Sequence, residues 1–124
     1  MTPERLQELL ECFSERRVAV IGDFFLDKYL DVDPTLAEPS LETGRTAHQV
    51  VAKRRSPGAA GTVVNNLAAL GAGEIHALGA IGNDGEAFDL CQGLESLGCS
   101  TQGLMRCDEL MTPTYLKPRD AGLH

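Results

Sequence analysis

The sequence has no tryptophan, and aromatic residues make up only 5% of it. That scarcity argues against a stacking platform for nucleic-acid bases. Positive charge is also in short supply. Eleven Lys and Arg face eighteen Asp and Glu, for a net charge of −7. Such a balance opposes non-specific binding to nucleic acid or to an anionic membrane. No apolar run approaches membrane-spanning length, and Met1-Thr2-Pro3-Glu4 does not open an apolar leader. The expected setting is the cytoplasm. The four cysteines, Cys12, Cys91, Cys99 and Cys107, include no Cys-x-x-Cys pair and no His at ligand spacing. A zinc site is therefore not expected, nor any other metal site. Cys12 and Cys91 fall on apolar helix positions and read as buried free thiols.

Several reaction motifs are missing as well. There is no Gly-x-Ser-x-Gly elbow for a hydrolase nucleophile and no Walker loop ending Gly-Lys-Ser/Thr. Gly79, Gly82 and Gly85 are spaced Gly-x-x-Gly-x-x-Gly, which is not the dinucleotide fingerprint. They read as a tight strand-to-helix turn. His48, His76 and His124 have no partner at catalytic spacing, and packing or solvent exposure accounts for each.

What is present is an ordinary globular composition, 43% hydrophobic and 23% charged over 124 residues. That length suits one domain or part of one. Thr2 and Pro3 start a helix with Leu6, Leu9, Leu10 and Phe13 on one stripe. Val18 to Ile21, closed by Gly22-Asp23, reads as a buried parallel strand. Leu30 to Asp33 alternates, Pro34, Pro39 and Gly44 interrupt, and His48 to Lys53 forms a second strand. These segments suggest a two-stranded flap away from the main sheet. Lys53-Arg54-Arg55 reads as a solvated strand end. Next comes a helix from about Ala59 to Leu70, stopped by Gly71, and an inner strand from Glu74 to Ile81. Asn83 then caps a helix, with Glu86 at capping-box spacing. Ala87, Cys91, Leu94 and Leu97 form its buried face, and Gly98 ends it. Ser100 to Met105 and Thr114 to Lys117 are further strands. The alternation of elements predicts an α/β fold with a mainly parallel sheet.

The segment Ser56 to Ala72 carries the most information. A Pro-Gly turn leads directly into a helix of small and branched apolar residues, which can bury nearly all round. Its N-terminal mouth offers free N–H donors to a polar ligand. Asp23 and Asp27 lie just past the carboxyl end of a strand, the edge where open α/β sheets bind ligands. Asp27 fits two roles equally: an acceptor for polyol hydroxyls, or a turn aspartate satisfying its own backbone.

Together these residues resemble a known family. Val18 to Tyr29 is similar to the opening of the ribokinase-like (PfkB) carbohydrate kinases, closest in flavour to the heptose-phosphate kinases. Pro57 to Ala72 resembles the family's first signature, a Gly-rich turn, an Asn and a helix ending Leu-Gly-Ala. Leu78 to Glu86, Leu97 to Leu104 and Thr112 to Lys117 continue in register, so the resemblance spans about residues 16 to 118. It implies the N-terminal part of a ribokinase-like sandwich with a small β lid at about residues 28–55 and 112–118. It also implies phosphoryl transfer from ATP, with Mg²⁺, to a hydroxyl of a sugar or sugar phosphate. A homodimer through the lid strands is implied too.

By resemblance, Asp27 holds sugar hydroxyls, and Gly58 and Ala59 match a Gly-Gly turn that lets the sugar approach. Thr62 stands where the family has a sugar-contacting Asn. Asp23, Asn66 and Lys117 are secondary candidates. Two positions depart from the pattern: Ala59 adds a methyl to the turn, and Thr62 offers one hydroxyl in place of an amide. The family's catalytic Asp-Thr-x-Gly-Ala-Gly-Asp motif is absent. Gly71-Ala72-Gly73-Glu74 imitates part of it, but ends a helix where an anion hole must open one. ATP, Mg²⁺ and the catalytic base are therefore expected from sequence beyond these residues. The tail Pro118 to His124 reads as an abrupt end, as in a truncated or frameshifted product. The alternative reading is a non-catalytic sugar-binding or dimerisation module.

Overall fold

A computed structural model describes residues 1–122; Leu123 and His124 lie outside the described residues. Helix α1 spans Pro3–Glu11, and the Thr2 hydroxyl accepts from the Arg5 N–H at 3.2 Å. A 3-10 turn over Cys12–Glu15 leads into strand β1, Arg17–Ile21. Strands β2, Phe24–Pro39, and β3, Thr46–Ala59, form a long antiparallel pair. Helix α2, Ala60–Ala69, precedes β4, Glu74–Gly82, and helix α3, Gly85–Ser96, precedes β5, Cys99–Cys107. Strand β6, Thr114–Asp120, comes last.

The strands make two sheets. Sheet A has the order β1-β4-β5 and is parallel throughout. Sheet B has the order β3-β2-β6, with β2 antiparallel to β3 and parallel to β6. The expected two-stranded flap is therefore a three-stranded sheet. Its third strand is the Thr114–Asp120 segment, which carries on past Lys117 through residues assigned from sequence to an abrupt tail. Pro34 cannot donate to a ladder, and the β2–β3 pairing lapses between Asp33 and Glu38. Gly44, at φ +68°, closes the hairpin, with the Ser40 N–H on the Arg45 carbonyl.

One core serves both sheets. Phe24 and Leu26 of β2, Val64 of α2, Ile81 of β4, and Leu90 and Leu94 of α3 are fully buried in it. At roughly 1.5–3 kcal/mol for each large apolar side chain, this cluster is the main stabilising term. Helices α2 and α3 touch each other and lie on one face of sheet A. Val20, Ile75 and Ala77 point to that face and are buried. Among the described residues the opposite face is uncovered, and Ile21 is 78% exposed. β1 is thus an edge strand with one covered face, not the fully buried strand expected.

Other expectations need correction for local reasons. Pro57 and Gly58 make no turn; they are the end of β3, paired with Leu26 and Phe25. The basic run Lys53-Arg54-Arg55 accordingly lies inside a strand, where alternation sends neighbouring side chains to opposite faces. Arg54 pairs with Asp31 of β2, and Arg55 with Asp89 of α3. Helix α2 buries only Gly61 and Val64, leaving Val63 about half exposed. Nothing in α1 is buried, because its stripe meets no part of the core. Cys12 falls in the 3-10 turn and is half-buried, whereas Cys91 and Cys99 are buried; all four thiols are free.

The cap of α3 is Asp84, one residue later than expected, because the helix begins at Gly85. Its carboxylate accepts from the Ala87 N–H at 2.8 Å, while Asn83 donates instead to Asp108. Glu86 reaches Lys28 of β2 at 3.4 Å. The Asp84 carboxylate also accepts from the Thr112 hydroxyl at 2.7 Å and the Thr112 N–H at 2.9 Å. The Thr112 hydroxyl in turn accepts from the Gly82 N–H. Thr112 is 5% exposed and lies where the chain passes from sheet A to sheet B.

Two predictions follow from this architecture. Ala59 sits at φ +51°, ψ −116°, a conformation natural to glycine and costly for a residue with a Cβ. Ala59→Gly should stabilise the chain by about 1–2 kcal/mol, read from the urea midpoint; an unchanged or lowered midpoint would refute the strain. The second concerns acid. Donation from Thr112, its N–H foremost, holds the Asp84 carboxyl below the usual aspartate range. On acidification the unfolded chain therefore takes up this proton first. The stabilisation is complete above the ordinary aspartate pKa and is lost as pH falls through the depressed folded value. The stability gap between wild type and Asp84→Asn should shrink as pH drops; a constant gap would contradict this.

Candidate functional site

Strand alternation builds the site. On β2, Asp27 and Tyr29 point to the same face of sheet B, and in register Tyr29 stands opposite Arg54 on one side and Lys117 on the other. The Lys117 ammonium donates to the Tyr29 hydroxyl at 3.3 Å and lies 3.8 Å from the Asp27 carboxylate. It also lies 4.9 Å from the Tyr29 ring centre and 4.7 Å from that of Tyr115. The Tyr29 hydroxyl and then the Asp27 charge push the Lys117 pKa above its ordinary value. Arg54 and Arg119 sit over the same Tyr29 ring, at 5.6 and 6.0 Å. A patch of positive and aromatic groups therefore stands on a chain whose net charge is −7.

Asp27 occupies the middle of an extended pairing, opposite Ser56 and Tyr115, so it is not a turn aspartate. Its contact with Lys117 is longer than a hydrogen bond, which leaves carboxylate lone pairs for other donors. Gly58 explains itself here. A Cβ on Gly58 would stand 2.7 Å from an Asp27 carboxylate oxygen, so only glycine lets that side chain lie against β3.

Asp27 and Thr62 line one open cleft of about 330 Å³, with Arg55, Ser56, Asn65 and Gly93 among its other walls. The remaining sequence candidates divide. Lys117 joins Asp27 directly. Ala59 is exposed at the junction of β3 and α2. Asp23 is exposed, and its carbonyl accepts from the Ala60 N–H at 3.0 Å. Asn66 lies a turn beyond Thr62 on α2, exposed, with its carbonyl accepting from Leu70. Tyr29, Tyr115 and Arg54 were absent from the sequence candidates. The signal was the period of two on paired strands, which groups Asp27 with Tyr29 and Tyr115 with Lys117.

The Gly71-Ala72-Gly73 imitation of a catalytic motif lies between α2 and β4. The Gly73 N–H bonds the Phe13 carbonyl, and a Cβ there would collide with the backbone of Ser14. Its glycine serves close backbone packing. Of the histidines, His48 is exposed and His76 lies 3.3 Å from Glu74, while His124 lies outside the described residues. No helix among the described residues is long and apolar enough to cross a membrane.

No family model matches the chain. Individual proteins do. The chain is 40% identical over 97 residues to the bifunctional protein HldE of Desulfatibacillum aliphaticivorans, a match covering 75% of this chain and 18% of that protein. It is 36% identical over 110 residues to HldE of Shewanella sp. (strain W3-18-1), covering 89% and 22%. The chain thus spans about a fifth of the length of these relatives. Its fold is similar to that of a sugar kinase from Pyrococcus horikoshii solved in complex with ATP, with a TM-score of 0.54 at 21% identity, over 81% of this chain and 30% of that one. A fructokinase from Xylella fastidiosa gives 0.55 at 21%, over 81% and 27%. A putative ribokinase from Agrobacterium tumefaciens gives 0.59 at 15%, over 85% and 32%. By sequence the chain is similar to one part of the HldE proteins, and its α/β fold is similar to one part of the fold of ribokinase-like sugar kinases.

Proposed function

We propose that this chain is the sugar-binding part of an ATP-dependent carbohydrate kinase and does not transfer phosphate by itself. The observation that carries this reading is the Asp27 carboxylate, laid against Gly58 with lone pairs to spare. A carboxylate so placed accepts hydrogen bonds from two neighbouring hydroxyls of a sugar, and each charge-assisted bond is worth about 1.5–3 kcal/mol. Lys117 orients the carboxylate, and Tyr29 and Tyr115 offer apolar ring area to a sugar's C–H face. Thr62 adds one hydroxyl across the cleft. The sheet B segments at about 28–55 and 112–118 act as the lid, and the substrate is a sugar or sugar phosphate.

In this reading the nucleotide and its metal are held by the rest of the kinase. At the mouth of α2 the first N–H is taken by the Asp23 carbonyl, and an acidic residue flanks it. That is a poor cradle for phosphate. No three His, Cys, Asp or Glu side chains among the described residues converge as a metal site.

A second reading is a non-catalytic sugar-binding or dimerisation module. It is favoured by the two edges of sheet B, β3 and β6, unpaired among the described residues, beside the exposed Val50 and Val51. Calorimetric titration with fructose, ribose and their phosphates, with sedimentation of the same samples, separates the readings. The expected outcome is sugar binding that Asp27→Asn weakens at least about tenfold, with no ADP formed from ATP. ADP production by this chain, or binding indifferent to Asp27→Asn, would overturn the proposal. A dimer that binds sugar but not ATP would favour the second reading.

A further inference from the structure

Strand β6 delivers Lys117 and Tyr115 to the site, yet little in the strand itself determines where it lies. It is an edge strand with a single ladder, to β2. Of its seven residues only Lys117 is even half-buried; Tyr115 is 59% exposed and Leu116 55%. Burial of an apolar face normally selects strand register, and here that term is weak. A slip of two residues would keep every side chain on its own face. It would bring Arg119 or Tyr115 opposite Tyr29 in place of Lys117.

What breaks this degeneracy is the residue before Pro113. Thr112 is tied by both its N–H and its hydroxyl to the Asp84 carboxylate, at 2.9 and 2.7 Å. Asp84 is itself fastened to the first turn of α3 through the Ala87 N–H. The Gly82 backbone approaches so closely that a Cβ there would stand 2.8 Å from the Thr112 nitrogen and 2.7 Å from Asp84. One residue further on, the Pro113 carbonyl accepts the Leu26 N–H at 2.8 Å, which opens the β2–β6 ladder.

We propose that Asp84 is a positioning residue: by clamping Thr112 it sets the register of β6 on β2, and so places Lys117 against Asp27 and Tyr29. Its bearing on sugar binding rests on the reading of the site given above. The register claim does not, and it is tested without ligand.

The chain has two tyrosines and no tryptophan, and both tyrosines lie against Lys117. Their ring resonances therefore report the cluster alone. In Asp84→Asn and Thr112→Val, both ring shifts should move toward those of Lys117→Met. Amides of the β2–β6 ladder should exchange about tenfold faster or more beyond any acceleration of Ala77 and Ile81 in sheet A, which report the global stability lost with the α3 cap. Thr112→Ser, which retains the hydroxyl and the N–H, should restore both readouts. Unmoved tyrosine shifts, or equal acceleration in both sheets, would overturn the proposal. So would global unfolding of both variants, because a clamp that only sets β6 leaves sheet A intact. Should Lys117 be correctly placed and no sugar bind, the functional reading fails while the positioning role stands.

Discussion

Everything in this structure hangs on α3 being packed against two sheets at once. Leu90 and Leu94 are fully buried in the same cluster as Ile81 of sheet A and Phe24 and Leu26 of sheet B. Gly93 permits this closeness, since a Cβ there would stand 2.9 Å from the ring of Pro57. Charge supports the same seam through Lys28 with Glu86 and Arg55 with Asp89, pairs of modest worth at partly exposed positions. Without the helix, sheet B would keep only the cover that α2 gives it, and the Asp27 cleft would lose its Gly93 wall.

The polar counterpart of that seam is small and dense. One carboxylate, Asp84, caps the start of α3, holds Thr112 and closes the passage between the sheets. Among the described residues Thr112 is the one polar residue with a buried side chain, and both its hydroxyl and its N–H are satisfied. A buried hydroxyl of this kind is specific in a way that apolar packing is not, because its partners have fixed directions. The apolar seam sets how tightly the layers hold, and the Thr112 group sets how they are aligned.

Much of this was legible in the sequence, and the failures have physical causes. The alternation of elements, the Thr2 cap, the glycine stops and the buried face of α3 follow from local chemistry, which the fold leaves undisturbed. Pro57-Gly58 was misread because a Pro-Gly pair is an ordinary turn signal. Its partners Leu26 and Phe25 are some thirty residues away, and no local pattern shows them. The burial of β1 was overestimated since an apolar run does not say how many neighbours it will have. Asp27 is legible as a ligand candidate, and the strand β2 that runs straight through it excludes the turn role. The φ of Ala59 was hidden altogether: an alanine gives no hint of a glycine conformation unless the tertiary path demands one.

The path of the chain through sheet B has a consequence for how the fold can vary. The chain leaves sheet A at Asp23 and returns at Ala60, and those two residues are hydrogen-bonded to each other. Topologically, β1, α2 and β4 are a parallel crossover unit into which the β2–β3 hairpin has been spliced at a single closed joint. A hairpin rooted in this way can lengthen, shorten or change its tip without moving the sheet that carries it. Diversification of the hairpin tip is therefore uncoupled from the main sheet, while the root of the hairpin is held by the shared core and by β6.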